Sequence, residues 1–148
     1  MTSWRDSASP QTQDDLDRLL DESLPFAQEL LEKNGEFFPY AIALTASGEL
    51  KHVAGDPGEG DQPSSVAVLQ TLVEGLREEA DTNRAAAVVS DVRLSDSDAV
   101  RVELEHSEGQ AIVVLLPYRT KRLRRGIEYG ETRASQGERQ IWSTLIDT

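Results

Sequence analysis

The chain contains no cysteine among its 148 residues, which excludes disulfides, thiolate nucleophiles and every cysteine-based zinc or iron–sulfur site. No segment approaches the roughly 18 consecutive apolar residues of a membrane helix, and no apolar stretch follows the first charges as a secretory leader requires. The expectation is a cytoplasmic, non-membrane protein. Lysine is scarce: Lys33, Lys51 and Lys121 stand against twelve arginines. A compositional bias of the host genome accounts for this, and adaptation to salt is the alternative that the acidic surplus permits. Aromatic residues are only 5% of the chain, too few to interleave with cations as a base-stacking platform.

What is abundant is negative charge, a formal −12 at neutral pH. Nucleic-acid binders gain affinity by neutralising phosphates and releasing counterions, so this balance disfavours that class. With 38% hydrophobic residues there is apolar material for one core, and the length suits one domain. Residues 1–13, "MTSWRDSASPQTQ", are polar beyond Trp4 and are read as a disordered tail. The remaining residues, 14–148, are read as a single α+β domain.

Between Asp14 and Asn34, Leu16, Leu19, Leu20, Leu24, Ala27, Leu30 and Leu31 recur at helical spacing. Pro25 either kinks this helix or divides it in two, and Asn34 or Gly35 supplies the stop. "FFPYAIALTASGELKHVAG" reads as a hairpin. In its first strand Phe38, Tyr40, Ile42 and Leu44 face one way and Phe37, Ala41 and Ala43 the other. In the second, Leu50 and His52 oppose Lys51 and Val53. "GDPGEGDQP" is a loop, after which Ser64 or Ser65 caps a helix with an apolar stripe of Val66, Leu69, Val73, Leu76 and Ala80. Three strands follow: "AAAVVSDVRL", "AVRVELEH" and "QAIVVLLPY". The middle one points Val100, Val102 and Leu104 inward and Arg101, Glu103 and Glu105 to water. After Gly126 an edge strand at Ile127 to Tyr129 and a short helix around Glu138 to Leu145 are expected, with Ile141 and Trp142 as anchors.

The fold class is therefore α+β: one five-stranded, mainly antiparallel sheet flanked by helices in the order α-β-β-α-β-β-β-(α). That order, from Asp14 to Thr148, resembles the profilin-like layout of the Roadblock and light-chain-7 regulatory proteins. The resemblance implies a fold and no chemistry.

Catalytic motifs fail one by one. His52 and His106 are the only histidines, and no G-x-S-x-G elbow supplies a serine nucleophile. The second and fourth strands of such a sheet are not neighbours, so the two imidazoles are not expected to meet. Glu103 and Glu105 share a strand face, as an ordinary solvated strand allows. The acidic turns at Asp56 to Asp61 and Asp91 to Asp98 carry hard oxygen donors, but neither matches an EF-hand, and no phosphate loop is present. No cofactor or metal site is assigned.

One segment stands out. In "PYRTKRLRRG", Arg119, Lys121, Arg122, Arg124 and Arg125 follow a buried strand and place cations at one edge or corner of the sheet. Guanidinium forks match carboxylate and phosphate oxygens. They are expected to contact the chain's own carboxylates or subunit partner, or an external acidic protein or small anion; nucleic acid is the weakest alternative. The leading expectation is a non-catalytic interaction or regulatory module, a homodimer or a subunit of an assembly. The alternative is a small hydrolase or ligand-binding enzyme using His52 or His106 with acidic partners.

Overall fold

The structure, a computed structural model, describes residues 4–54, 64–121 and 126–142. A short helix α1 (Trp4–Ser7) precedes the long α2 (Pro10–Asn34), the hairpin β1 (Tyr40–Thr45) and β2 (Leu50–Ala54), and α3 (Ser65–Glu78). The long strands β3 (Asn83–Arg93), β4 (Asp98–His106) and β5 (Ala111–Thr120) follow, then β6 (Ile127–Tyr129) and β7 (Arg133–Gln136).

All pairings are antiparallel, in the order β2-β1-β3-β4-β5-β6, and β7 also pairs with β5. The sheet has seven strands, not five. Residues 118–120 of β5 pair with β6 and residues 112–115 with β7, so β6 and β7 act as one interrupted edge strand. Between them residues 130–132 oppose only Leu116 and Pro117, an extra residue that bulges the edge. β7 was not legible because "RASQ" has no apolar alternation and all four residues are exposed.

α2 starts at Pro10, not Asp14. The signal is local: Ser9 caps the helix by accepting the Thr12 N–H, and Pro10 occupies the first turn, where its missing N–H costs nothing. Residues 4–13, part of the segment read as disordered, are thus largely helical. Pro25 lies inside one continuous helix, and Gly35 ends it at φ 78°, its N–H reaching Leu31 O at 2.7 Å.

The two faces of the sheet are covered unequally. On one, α2 buries Leu16, Leu19, Ala27 and Leu31 against Tyr40, Ile42, Leu44, Val100, Val102 and Leu116. On the other, α3 buries Val68, Leu72 and Leu76 against Ala41, Ala43, Ala86 and Val88, joined by Ile141 and Trp142. The α3 stripe is rotated from the expected one. Val66 is exposed, because a helix apolar over a broad arc takes its facing from the sheet and not from its own pattern.

Three further expectations change. Phe37 packs on the α2 side, its ring centroid 5.7 Å from that of Tyr40, and Phe38 is exposed, since β1 begins only at Tyr40 after Pro39. Glu105 is buried, not solvated. Its carboxylate accepts the main-chain N–H groups of Gln140, Ile141 and Trp142 at 2.7–3.1 Å. Residues 137–140, where a helix was expected to start, have no regular structure, and its continuation beyond Trp142 lies outside the described residues.

Candidate functional site

Of the basic segment, Arg119 and Lys121 are described and both are exposed, while Arg122, Arg124 and Arg125 lie outside the described residues. Arg119 is on β5 and donates to the Asp96 main-chain oxygen at 3.1 Å. Strand pairing brings this end of β5 beside two arginines distant in sequence. Arg101 pairs with Leu115, and Leu115 pairs with Arg133, so the three share one row across β4, β5 and β7. Directly opposed residues project from the same face. Strands about 4.8 Å apart place the Arg101 and Arg133 backbones about 10 Å from each other.

This row lies on the α3 side of the sheet, but α3 packs over β1 and β3. Arg101, Leu115 and Pro117 are consequently half-buried, and Arg119 and Arg133 are exposed. A shallow cleft of about 340 Å³ joins Pro117, Arg119, Glu128, Tyr129, Gly130 and Arg133. Arg101 meets Glu103 at 3.4 Å. Arg133 has no ion-pair partner among the described residues. Sequence spacing hid this set, because Arg101 and Arg133 meet Leu115 only through the strand register.

The histidines take other positions. His106 is buried, and its Nε2 lies 2.8 Å from Asp15 Oδ2. Its Nδ1 accepts the Glu108 main-chain N–H at 3.1 Å, which puts the ring proton on Nε2 and makes Asp15 the acceptor. Arg84 donates to both Asp15 oxygens at 3.0 and 3.1 Å, and Gln11 adds a fourth donor at 2.8 Å. Burial pushes the Asp15 carboxyl up, but the hydrogen bonds from His106, Arg84 and Gln11 outweigh it and hold the group below its ordinary value. Thr12 Oγ1 donates to Glu108 at 2.7 Å beside this cluster, tying the start of α2 to the β4–β5 turn.

His52 is on the opposite edge, half-exposed, 2.9 Å from Glu22 and edge-on to the Phe26 ring. β2 and β4 are separated by β1 and β3, so the two imidazoles do not meet. Both have the carboxylate partner that an enzyme reading requires, but neither lines the clefts at the β4–β7 side or between α3 and β4.

Asp91, at the start of the second acidic stretch, lies on β3 and is engaged by the protein itself. It accepts from the Tyr118 hydroxyl and the Phe37 N–H, yet burial and the charges of Asp98 and Glu36 hold its carboxyl above the ordinary value. Burial, then the bond to Asp91, pushes the Tyr118 hydroxyl up. Among the described residues no group of three His, Asp or Glu is placed to hold a metal, and Asp56 to Asp61 lie outside them. No described helix is long and apolar enough to cross a membrane.

Comparison of the chain with protein families, with curated proteins and with solved structures finds no match.

Proposed function

We propose that this chain is a protein-interaction module whose contact surface is the half of the sheet face that α3 leaves uncovered. The observation that carries this is the row Arg101–Leu115–Arg133, continued by Pro117 and Arg119 toward the basic segment Lys121 to Arg125. An apolar strip flanked by guanidinium groups suits a partner segment that alternates apolar and acidic side chains. The partner is a cytoplasmic acidic protein, and nucleic acid is disfavoured by the surrounding acidic field. The profilin-like resemblance adds only an analogy with regulatory scaffolds, since this sheet carries two additional strands.

The test compares the full chain with two variants: Arg101, Arg119 and Arg133 all changed to Glu, and Arg122, Arg124 and Arg125 all changed to Glu. Partners recovered from the native host are identified by mass spectrometry and titrated against each. The first variant is expected to lose a wild-type partner by about a hundredfold, as loss of charge-assisted contacts implies. Equal recovery by the wild type and both variants removes the reading.

One observation keeps the enzymatic alternative, in which His106 works with Asp15: the 2.8 Å bond between them. It requires the buried ring to reach a substrate. Protection of His106 from diethylpyrocarbonate in the folded chain argues against it, and rapid modification argues for it.

A further inference from the structure

Residues 137–142 have no regular structure, yet they cross one face of the sheet. At the β5 end the Gly137 N–H bonds Ala111 O at 2.9 Å, and just after α3 the Trp142 indole N–H donates to Ala80 O at 3.2 Å. Between these points the N–H groups of Gln140, Ile141 and Trp142 converge on the Glu105 carboxylate of β4 at 2.7–3.1 Å. Arg77 of α3 donates to the Gln140 carbonyl at 2.6 Å. Paired strands hold each other by bonds spread along both backbones. This segment has three of its N–H groups on one side chain, so loss of Glu105 alone frees all three together. A cavity of about 20 Å³ remains beneath it, lined by Val73, Val88, Val113 and Ile141 among others.

The same segment borders the arginine surface. Two residues along the strands from the row Arg101–Leu115–Arg133 lies the row Val88–Glu103–Val113–Ser135. Val88 and Val113 are buried there, and a Cβ at Gly137 would stand 3.2 Å from Val113, so the segment seats directly on that side chain. One Glu103 oxygen accepts from both Gln140, at 3.2 Å, and Arg101, at 3.4 Å. Segment and arginine row therefore meet at a single atom.

We infer that residues 137–142 are an autoinhibitory strap and that Glu105 is its catch. Closed, the strap covers Val88 and Val113; open, it adds them to the uncovered half of the sheet face. Withdrawing Ile141 and Trp142 from the α3 cluster opposes opening and keeps the closed state the major one. The strand ladders do not depend on the strap, so it opens without them, at a lower free energy than global unfolding. That opening tightens partner binding rests on the interaction reading above; the opening itself does not.

The experiment exploits the absence of cysteine: Val113→Cys introduces a single thiol under the strap of the full chain, and Val102→Cys one on the α2 face. Labelling by an aromatic disulfide reagent is followed against urea below the unfolding transition. The thiol at position 113 is expected to react faster and with little dependence on urea, because opening the strap exposes little surface. The thiol at position 102 is expected to react only through global unfolding, with a steep dependence. Glu105→Gln turns one acceptor into a donor aimed at the strap's N–H groups and is expected to speed labelling at 113 about tenfold. Arg77→Ala, a change at an exposed residue, removes the tie to Gln140 and is expected to speed it about threefold. Labelling at 113 that follows the rate and urea slope of 102, or that neither substitution alters, overturns the inference. In titrations with a short synthetic peptide alternating leucine and glutamate, Glu105→Gln is expected to bind about tenfold more tightly than wild type. A strap that opens with no gain in binding overturns the autoinhibition, while equal binding by wild type and the triple variant of Arg101, Arg119 and Arg133 overturns the interaction reading instead.

Discussion

Asp15 shows how one residue at the start of a helix ties distant parts of the chain together. Its carboxylate is buried on α2 and accepts from Arg84 at the start of β3 and His106 at the end of β4. A buried carboxylate without those donors would lose its hydration with no return. With them, removing it strands a guanidinium and leaves the His106 N–H with a weaker acceptor. Asp15→Asn is therefore expected to cost about 3 kcal/mol at neutral pH, the low end for a broken buried pair because Arg84 is partly exposed. Asp15 has a folded-state pKa below its unfolded value, so its contribution is complete above about pH 4 and is lost as pH falls through the folded value. The difference between wild type and Asp15→Asn in urea unfolding should accordingly shrink below about pH 4; a gap of constant size from neutral pH to strong acid would contradict the assignment.

At the scale of elements, α2 carries an interior proline on its exposed side. Pro25 has no N–H to return to the Asp21 carbonyl, and its ring crowds that turn. Pro25 sits two residues from a specific contact, in which the Ser23 carbonyl accepts the Tyr40 hydroxyl at 2.7 Å. Two outcomes separate the roles of this proline. If it is only tolerated, Pro25→Ala raises stability by about 2 kcal/mol, the helix-propensity gain of about 3 kcal/mol less what proline's restriction of the unfolded chain contributes. If the missing Pro25 N–H is what frees this turn to let Ser23 reach Tyr40, the substitution is neutral or destabilising and Tyr40→Phe no longer adds to it in a double-mutant cycle. We expect stabilisation, since propensity acts at an exposed position and the Tyr40 bond is one among many contacts of α2.

The same scale shows what was legible in the sequence. The long apolar elements declare themselves: Leu16, Leu19 and Leu31 on α2, and the alternating Val100, Val102 and Leu104 of β4, are buried as their spacing requires. The Ser9–Pro10 start of α2 was legible too, but its weight was hidden by the polar composition around it. Three features could not be read locally. β7 forms because β5 offers a free edge; Glu105 is buried because the chain returns 35 residues later with three free N–H groups; and α3 rotates to suit the sheet. The candidate surface belongs with these. Only the strand register places Arg133 beside Leu115 and Arg101, whereas Arg119 and Lys121 were visible as part of a run of cations.

For the whole molecule, a net charge of −12 on a chain this short acts against compactness, while the arginine row collects positive charge on one face. Salt should therefore have opposite effects on folding and on association. Raising sodium chloride from about 0.02 M to about 1 M shortens the screening length from about 20 Å to about 3 Å. Repulsion among the surplus carboxylates is then suppressed, and the unfolding midpoint is expected to rise. Contacts through Arg101, Arg119 and Arg133 lose strength over the same range, so partner affinity is expected to fall. Thermal unfolding and partner titration on one salt series separate the two effects. An association that strengthens with salt alongside stability would mean that apolar burial holds the contact, and that the arginine face is only part of the solvated surface.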